Sequence, residues 1–210
     1  MKYFKYGSKE VEHLRERDQI LGAEIERIGF IKREVNPDIF SSLVSSIISQ
    51  QISTKAALTV KNRLKELIKE ITPENINKED IESIQQCGMS LRKAGYIKSM
   101  AESVLNGHID LENLHKLTDQ EVVKELVKLK GVGEWTAEML LIHALERPNV
   151  LSYKDLGIRR GIMRLYSLED ISEEEFEVYR KRYSPYGTVA SLYIWKISDL
   201  QSKTSIVRFT

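Results

Sequence analysis

The sequence has a single cysteine, Cys87, in 210 residues. No intramolecular disulfide can form, and no four-cysteine zinc or iron–sulfur site can be assembled. Proline is scarce, at 4, and glycine modest, at 11; both argue against a loop-rich or all-β architecture. No stretch approaches the ~18 uninterrupted apolar residues of a membrane span. The first residues, Met1 to Asp18, hold no apolar run of signal-peptide type. Neither sign of charge dominates: 32 Lys and Arg against 31 Asp and Glu leave a formal net charge of +1. That balance neither requires nor excludes nucleic acid as a partner, because a local basic face is enough. The expectation is a soluble, cytoplasmic protein of a reducing compartment.

What is present is helical periodicity. Hydrophobic residues make up 41 % and charged residues 30 %, ordinary values for a globular chain. Apolar residues at 11, 14, 20, 21, 25 and 28 give a mostly helical stripe that Gly29 can stop. Phe40, Leu43, Val44, Ile47 and Ile48 form the next stripe, which ends in the polar corner Ser49-Gln50-Gln51-Ile52-Ser53. Ala56, Ala57, Val60, Leu64, Leu67, Ile68 and Ile71 share a face that Pro73 closes. A short helix over 79–86 ends near Cys87-Gly88, and Ser90 can cap the stripe from Leu91 to Leu105. Thr118 with Glu121 forms a capping box, as does Ser172 with Glu175. Ser184-Pro185 suits a helix start, followed by the stripe Val189, Ala190, Tyr193, Ile194 and Ile197. The tail from 201 carries no strong signal, although Ile206 to Phe209 reads equally as a short extended piece or as disorder. Nothing alternates at period 2 for any length. The reading is an all-α chain of about nine or ten helices.

One stretch stands out chemically. Between two amphipathic segments lies Gly131-Val132-Gly133, and a helix from about Glu134 to Leu145 follows. Two glycines one residue apart permit a sharp turn with unpaired backbone N–H groups. The positive end of the following helix points the same way. Together these make an anion site suited to phosphate. Taken alone, the glycines fit a tight helix–helix connection, and the turn by itself does not single out phosphate.

The flanking residues Leu129-Lys130-Gly131-Val132-Gly133-Glu134-Trp135-Thr136-Ala137 resemble the helix–hairpin–helix signature. Asp155, 20 positions after Trp135, resembles the aspartate of the glycosylase branch. LVSSIISQQISTKAALTVKNRL (43–64), the stretch from Cys87 to Val104, and SPYGTVASLYIW (184–195) are similar to segments of AlkA-type 3-methyladenine DNA glycosylases, in the same order. The resemblance covers roughly residues 10–200.

It implies a two-lobed glycosylase fold: a central lobe over 40–147, and a second lobe from 1–39 plus 148–210. The DNA cleft is expected between them. The expected partner is double-stranded DNA with a damaged base, and the expected protein is a monomer, nucleoid-associated if prokaryotic. Such an enzyme flips the base out and cuts its bond to the sugar. Asp155 would stabilise the oxocarbenium-like transition state and orient or activate water. An aspartate there also fits a helix cap or a surface charge.

In lyase relatives the position of Trp135 holds a lysine that forms a Schiff base. Trp135 therefore implies a monofunctional enzyme, and the cysteine count excludes the iron–sulfur cluster of many endonuclease III relatives. Trp135 offers a ring face for a cationic base, or it fills the core at a helix start. Gln51 sits where the family fills the gap left by the flipped base; it or Gln50 can equally cap the preceding helix. The resemblance assigns phosphate contacts to Gly131, Val132, Gly133 and Thr136. Arg159 is a further candidate. Lys154 contacts phosphate or acts through its charge on the neighbouring Asp155. No cofactor is required, but the family binds a monovalent cation through hairpin carbonyls, here those of Val127, Leu129 and Val132.

The pattern also departs from the family. Ser152-Tyr153-Lys154 stand where a proline and a second acid are common. Met139 replaces an aromatic in the expected base pocket. The expectation is a base excision repair hydrolase acting on alkylated purines of the 3-methyladenine type. A glycosylase for oxidised or deaminated bases and a non-catalytic helix–hairpin–helix DNA-binding protein are the alternatives. His13, His108, His115 and His143 have no ligand spacing. The runs Glu173-Glu174-Glu175 and Arg180-Lys181-Arg182 read as solvated charge.

Overall fold

Short polar side chains mark where the helices begin. Asp18, Asp38, Ser53, Thr72, Asp80, Ser90, Thr118, Asp155 and Ser172 each accept a hydrogen bond from a backbone N–H of the first turn that follows. Those donors have no partner inside the helix, so the caps satisfy them. The capping boxes at Thr118/Glu121 and Ser172/Glu175 are both formed.

A computed structural model describes residues 2–204, with side chains through residue 200. In chain order the elements are β1 (Lys2–Tyr3), α1 (Ser8–Arg17), α2 (Gln19–Ile28), β2 (Glu34–Val35), α3 (Ile39–Ser49), α4 (Thr54–Ile68), α5 (Pro73–Lys78), α6 (Ile81–Gln86) and α7 (Leu91–Leu105). A 3-10 turn at Leu114–Lys116 follows, then α8 (Asp119–Leu126), α9 (Glu134–His143), α10 (Leu156–Leu165), α11 (Glu173–Tyr183) and α12 (Gly187–Thr204). The chain is mostly helical, as its periodicity indicates, but the described residues hold twelve helices rather than nine or ten.

The differences have local causes. The stripe over 9–28 is two helices, because Asp18 turns extended and its carboxylate caps α2 through Ile20 and Leu21 N–H. Pro73 opens α5 instead of closing the preceding segment, since proline needs no donor at a first helical position. α11 ends at Tyr183, ahead of the cis Ser184-Pro185 bond, and α12 starts only at Gly187. The two-residue antiparallel pairing of β1 with β2 is too short to register as a period. The expectation for Ile206 to Phe209 lies outside the described residues.

The chain divides into two compact units, Asn36–Leu145 and Met1–Val35 with Glu146–Thr210. In the first, α7 packs on α3, α5 and α6, while α3 also packs on α4 and α9. Leu43, Val44, Ile47, Leu64, Ile97, Ala101 and Leu126 are fully buried there.

In the second unit, Leu14, Leu21, Ile158, Ile162, Phe176, Tyr193 and Ile194 form the core. Its polar centre is Asp18. Arg182 Nη1 donates to Asp18 Oδ2 at 2.7 Å, and the Tyr166 hydroxyl donates to the same oxygen. Burial alone raises a carboxyl's pKa. The bonds from Tyr166, Leu21 N–H and Arg182, with the charge of Arg182, outweigh it and hold Asp18 below its ordinary value.

Candidate functional site

The turn between α8 and α9 is compact. Val127 N–H donates to Val123, Lys128 to Glu125, Leu129 to Leu126 and Val132 to Leu129, all at 3.0–3.2 Å. In α9 the bond from Ala137 N–H to the Gly133 carbonyl is 3.0 Å. Gly133 is the N-cap, and no side chain caps the helix.

The two glycines do different work. Gly131 has φ +85°, and a Cβ there would stand 2.4 Å from Tyr96 Cδ2. Its glycine is therefore required by conformation and by packing. Gly133 has φ −96° and ψ 174°, which any residue adopts, and a Cβ would meet nothing within 4 Å. The fold does not need a glycine at 133. What it preserves is open access to the start of α9.

Trp135 and Met139 lie four positions apart on α9 and share a face. Trp135 is 44 % exposed and Met139 9 %. The core reading of Trp135 therefore does not apply. Val132 and Thr136 have buried side chains, which leaves only their backbone for an anion.

The corner after α3 is anchored to this hairpin. Gln50 Nε2 donates to the Gly131 carbonyl at 2.8 Å. Lys93 Nζ, on α7, donates to the carbonyls of Ile48 at 2.8 Å and Gln50 at 2.5 Å. Gln51 then takes φ 59°, a left-handed conformation that costs a residue with a Cβ. It is exposed, and Ile52 beside it is 40 % exposed. The three-way clamp fixes a protruding tip, and the Gln50 and Lys93 contacts that build it were not legible from the sequence. Gln50 is the α3 cap residue; Gln51 lies beyond it.

In the other unit, Asp155 is the N-cap of α10 and 7 % exposed. Its Oδ1 accepts from Ile158 N–H at 2.9 Å and from the indole Nε1 of Trp195 on α12, also at 2.9 Å. The cap reading is thus correct, but a cap alone needs no tryptophan. Trp195 is partly buried and carries the Arg33 guanidinium 5.8 Å from its ring centroid.

Close approach of α10 and α12 makes the indole bond possible. A Cβ on Gly157 would lie 3.0 Å from Trp195 Cδ1 and 3.1 Å from Asp155 Oδ1. One on Gly161 would lie 2.4 Å from the Ile194 carbonyl oxygen. The four-residue spacing of these glycines on α10 was the available sequence signal for this contact.

Lys154 is exposed beside Asp155. Arg159 places its guanidinium 5.1 Å from the Tyr153 ring centroid, and its Nε is buried without a hydrogen-bond partner among the described residues. Among the described residues no group of three or more His, Cys, Asp or Glu side chains is placed to hold a metal. The carbonyls of Val127, Leu129 and Val132 form a neutral, all-oxygen set, and that of Leu129 already accepts from Val132 N–H. A carbonyl has a second lone pair, so this bond leaves the Leu129 oxygen able to accept again. No helix among the described residues is long and apolar enough to cross a membrane.

The chain is similar to known proteins. The DNA-3-methyladenine glycosylase 1 of Schizosaccharomyces pombe is 38 % identical over 139 residues, 65 % of this chain and 61 % of the relative. The chain thus spans about three fifths of that relative's length. The crystal structure of a DNA-3-methyladenine glycosidase from Bacillus halodurans superposes with a TM-score of 0.85 at 36 % identity, covering 97 % of this chain and 95 % of that one. A Schizosaccharomyces pombe 3-methyladenine DNA glycosylase in complex with abasic DNA gives 0.77 at 32 % identity, over 90 % and 96 %. The model of the HhH-GPD superfamily of base excision DNA repair proteins matches residues 44–185, from α3 to the start of the loop before α12, and the chain belongs to that superfamily.

Proposed function

We propose that this chain is a monofunctional DNA glycosylase that removes alkylated purines of the 3-methyladenine type from duplex DNA. The observation that carries the reading is the carboxylate of Asp155, sequestered at a helix start and oriented by Trp195 Nε1. A fixed carboxylate beside the sugar stabilises positive charge as the N-glycosidic bond breaks, and it positions the water that attacks. An alkylated purine already carries positive charge and leaves without strong acid catalysis. No lysine stands at position 135 for a Schiff base, so hydrolysis without strand cleavage is expected.

The remaining parts divide the binding work. The open start of α9 at Gly133 takes a phosphate through backbone N–H groups, which read no sequence. Lys154 and the exposed part of Arg159 add charge. The tip at Gln51, with the apolar Ile52, enters the base stack and fills the gap left by the flipped base. Trp135 supplies an electron-rich face for a cationic purine, with Met139 below it. The carbonyls of Val127, Leu129 and Val132 would hold a monovalent cation, which would add positive charge at the hairpin.

A second reading rests on the N-cap bond itself. If Asp155 serves only α10, the chain is a DNA-binding protein without catalysis. Base release from duplexes with single alkylated, oxidised or deaminated bases, assayed with and without alkali, decides between them. Release from alkylated purines with breaks only after alkali is expected. Breaks without alkali, or release confined to oxidised or deaminated bases, would overturn the reading, and duplex binding with no release from any lesion would favour the second.

A further inference from the structure

The face of α4 beyond the Gln51 tip has no role in the site described above. A groove of ≈ 430 Å³ runs along it, lined by Ser53, Lys55, Ala56, Thr59, Val60, Arg63 and Gly88. It starts two residues past Gln51. Lys55, Thr59 and Arg63 recur every fourth residue and are all exposed, so they form one stripe with a rise of ~6 Å per step. No acidic residue occurs between Lys55 and Arg63, and none lines the groove.

Gly88 forms the opposite wall. It has φ +106°, and a Cβ there would stand 3.3 Å from Arg63 Nη1. The bare turn leaves room for the guanidinium. Acidic charge resumes at Glu66 and Glu79, which act on nearby Cys87 against the charge of Arg63. The groove is therefore a bounded cationic track, continuous with the tip that the proposed function assigns to the base stack.

We infer that this groove is a second contact for the DNA backbone, with Lys55 and Arg63 taking phosphates of one strand beside the Gln51 tip. Lys55 and Arg63 stand eight residues apart, ~12 Å along α4, which is of the order of two phosphate spacings along a strand. Lys55 works as a point charge, whereas the Arg63 fork can hold a phosphate through two donors. Such contacts fix the register of the duplex without reading its sequence. The inference rests on the glycosylase reading, because it presumes that duplex DNA is the ligand.

The test is binding of an undamaged duplex across a range of salt concentrations. It compares the wild type with the double variant Lys55→Gln/Arg63→Gln and with a control, Lys65→Gln/Lys69→Gln, that removes equal charge outside the groove. Each phosphate contact contributes about 0.9 to the slope of log affinity against log salt. The groove variant should lose about 2 from that slope and bind at least ~10-fold more weakly at low salt; the control should keep a slope close to wild type. All four side chains are exposed, so melting temperatures should be unchanged. Slopes equal to wild type in the groove variant, or equal losses in groove and control variants, overturn the inference. A wild type that fails to bind duplex overturns the glycosylase reading together with it.

Discussion

The indole Nε1 of Trp195 donates to Asp155 Oδ1 at 2.9 Å, joining residues 40 positions apart. The bond ties the start of α10 to the middle of α12 and fixes the direction in which the carboxylate faces. Trp195 is thereby a positioning residue for Asp155. Trp195→Phe keeps the ring but removes the donor. A hydrogen bond to a charged group contributes ~1.5–3 kcal/mol to stability, so the melting temperature should fall by several degrees at about 2–4 °C per kcal/mol; kcat for base release should fall by about 10-fold or more, with KM little changed. Equal kcat in the variant would show that the bond does not matter to the chemistry.

The glycines of α10 separate activity from stability. Gly161→Ala drives a methyl into the Ile194 carbonyl oxygen at 2.4 Å, and backbone cannot yield cheaply. Overpacking costs ~1–3 kcal/mol, or a loss of several degrees in melting temperature at about 2–4 °C per kcal/mol for this size. Gly157→Ala presses instead on Trp195 and Asp155 Oδ1 at 3.0 and 3.1 Å. It should lower kcat more than it lowers the melting temperature. Thermal melts and single-turnover rates of both variants check the contrast.

The hairpin glycines separate folding from binding in the same way. Gly131→Ala meets both the positive φ and Tyr96, so it should destabilise the protein. Gly133→Ala meets nothing within 4 Å, so it should melt like wild type. Yet it should weaken binding to every duplex alike, lesion or not, because a methyl obstructs the approach of phosphate to backbone. Loss of binding confined to one lesion would contradict a phosphate grip.

These pairs also mark what the sequence could convey. Helix starts were legible because caps act over three residues: Ser90, Thr118 and Ser172 were identifiable without any structure. The break at Asp18 was not, since Val11, Leu14, Leu21 and Ile25 continue one stripe across it. Asp155 was singled out by its distance from Trp135 in a family resemblance, and its place as a helix cap was open to the same three-residue reasoning. Its partner Trp195, the clamp of Gln50 and Lys93 on the hairpin, and the role of Gly157 depend on contacts between distant helices, which periodicity does not encode. Gly131 and Gly133 look equivalent in sequence; only their φ angles and neighbours distinguish them.

Asp18 predicts an acid-sensitive fold. Its pKa is held below the ordinary carboxyl value of 3.8 in the folded state. A depressed carboxyl contributes stability that is present above its unfolded pKa and lost as pH falls through the folded one. Stability should therefore decline below about pH 4. In Asp18→Asn, which also loses the charge-assisted bond to Arg182, melting temperature should be lower at neutral pH and should decline less on acidification. Parallel melting curves of variant and wild type between pH 3 and 7 would contradict the assignment.

The most direct test of the whole reading is single-turnover release of an alkylated purine by Asp155→Asn, with duplex binding measured on the same preparation. The amide can still accept from Ile158 N–H and Trp195 Nε1, so the cap and the fold are retained. The expected result is wild-type binding with base release reduced by at least ~100-fold, about 2.7 kcal/mol of lost transition-state stabilisation. Release at the wild-type rate would contradict a catalytic Asp155.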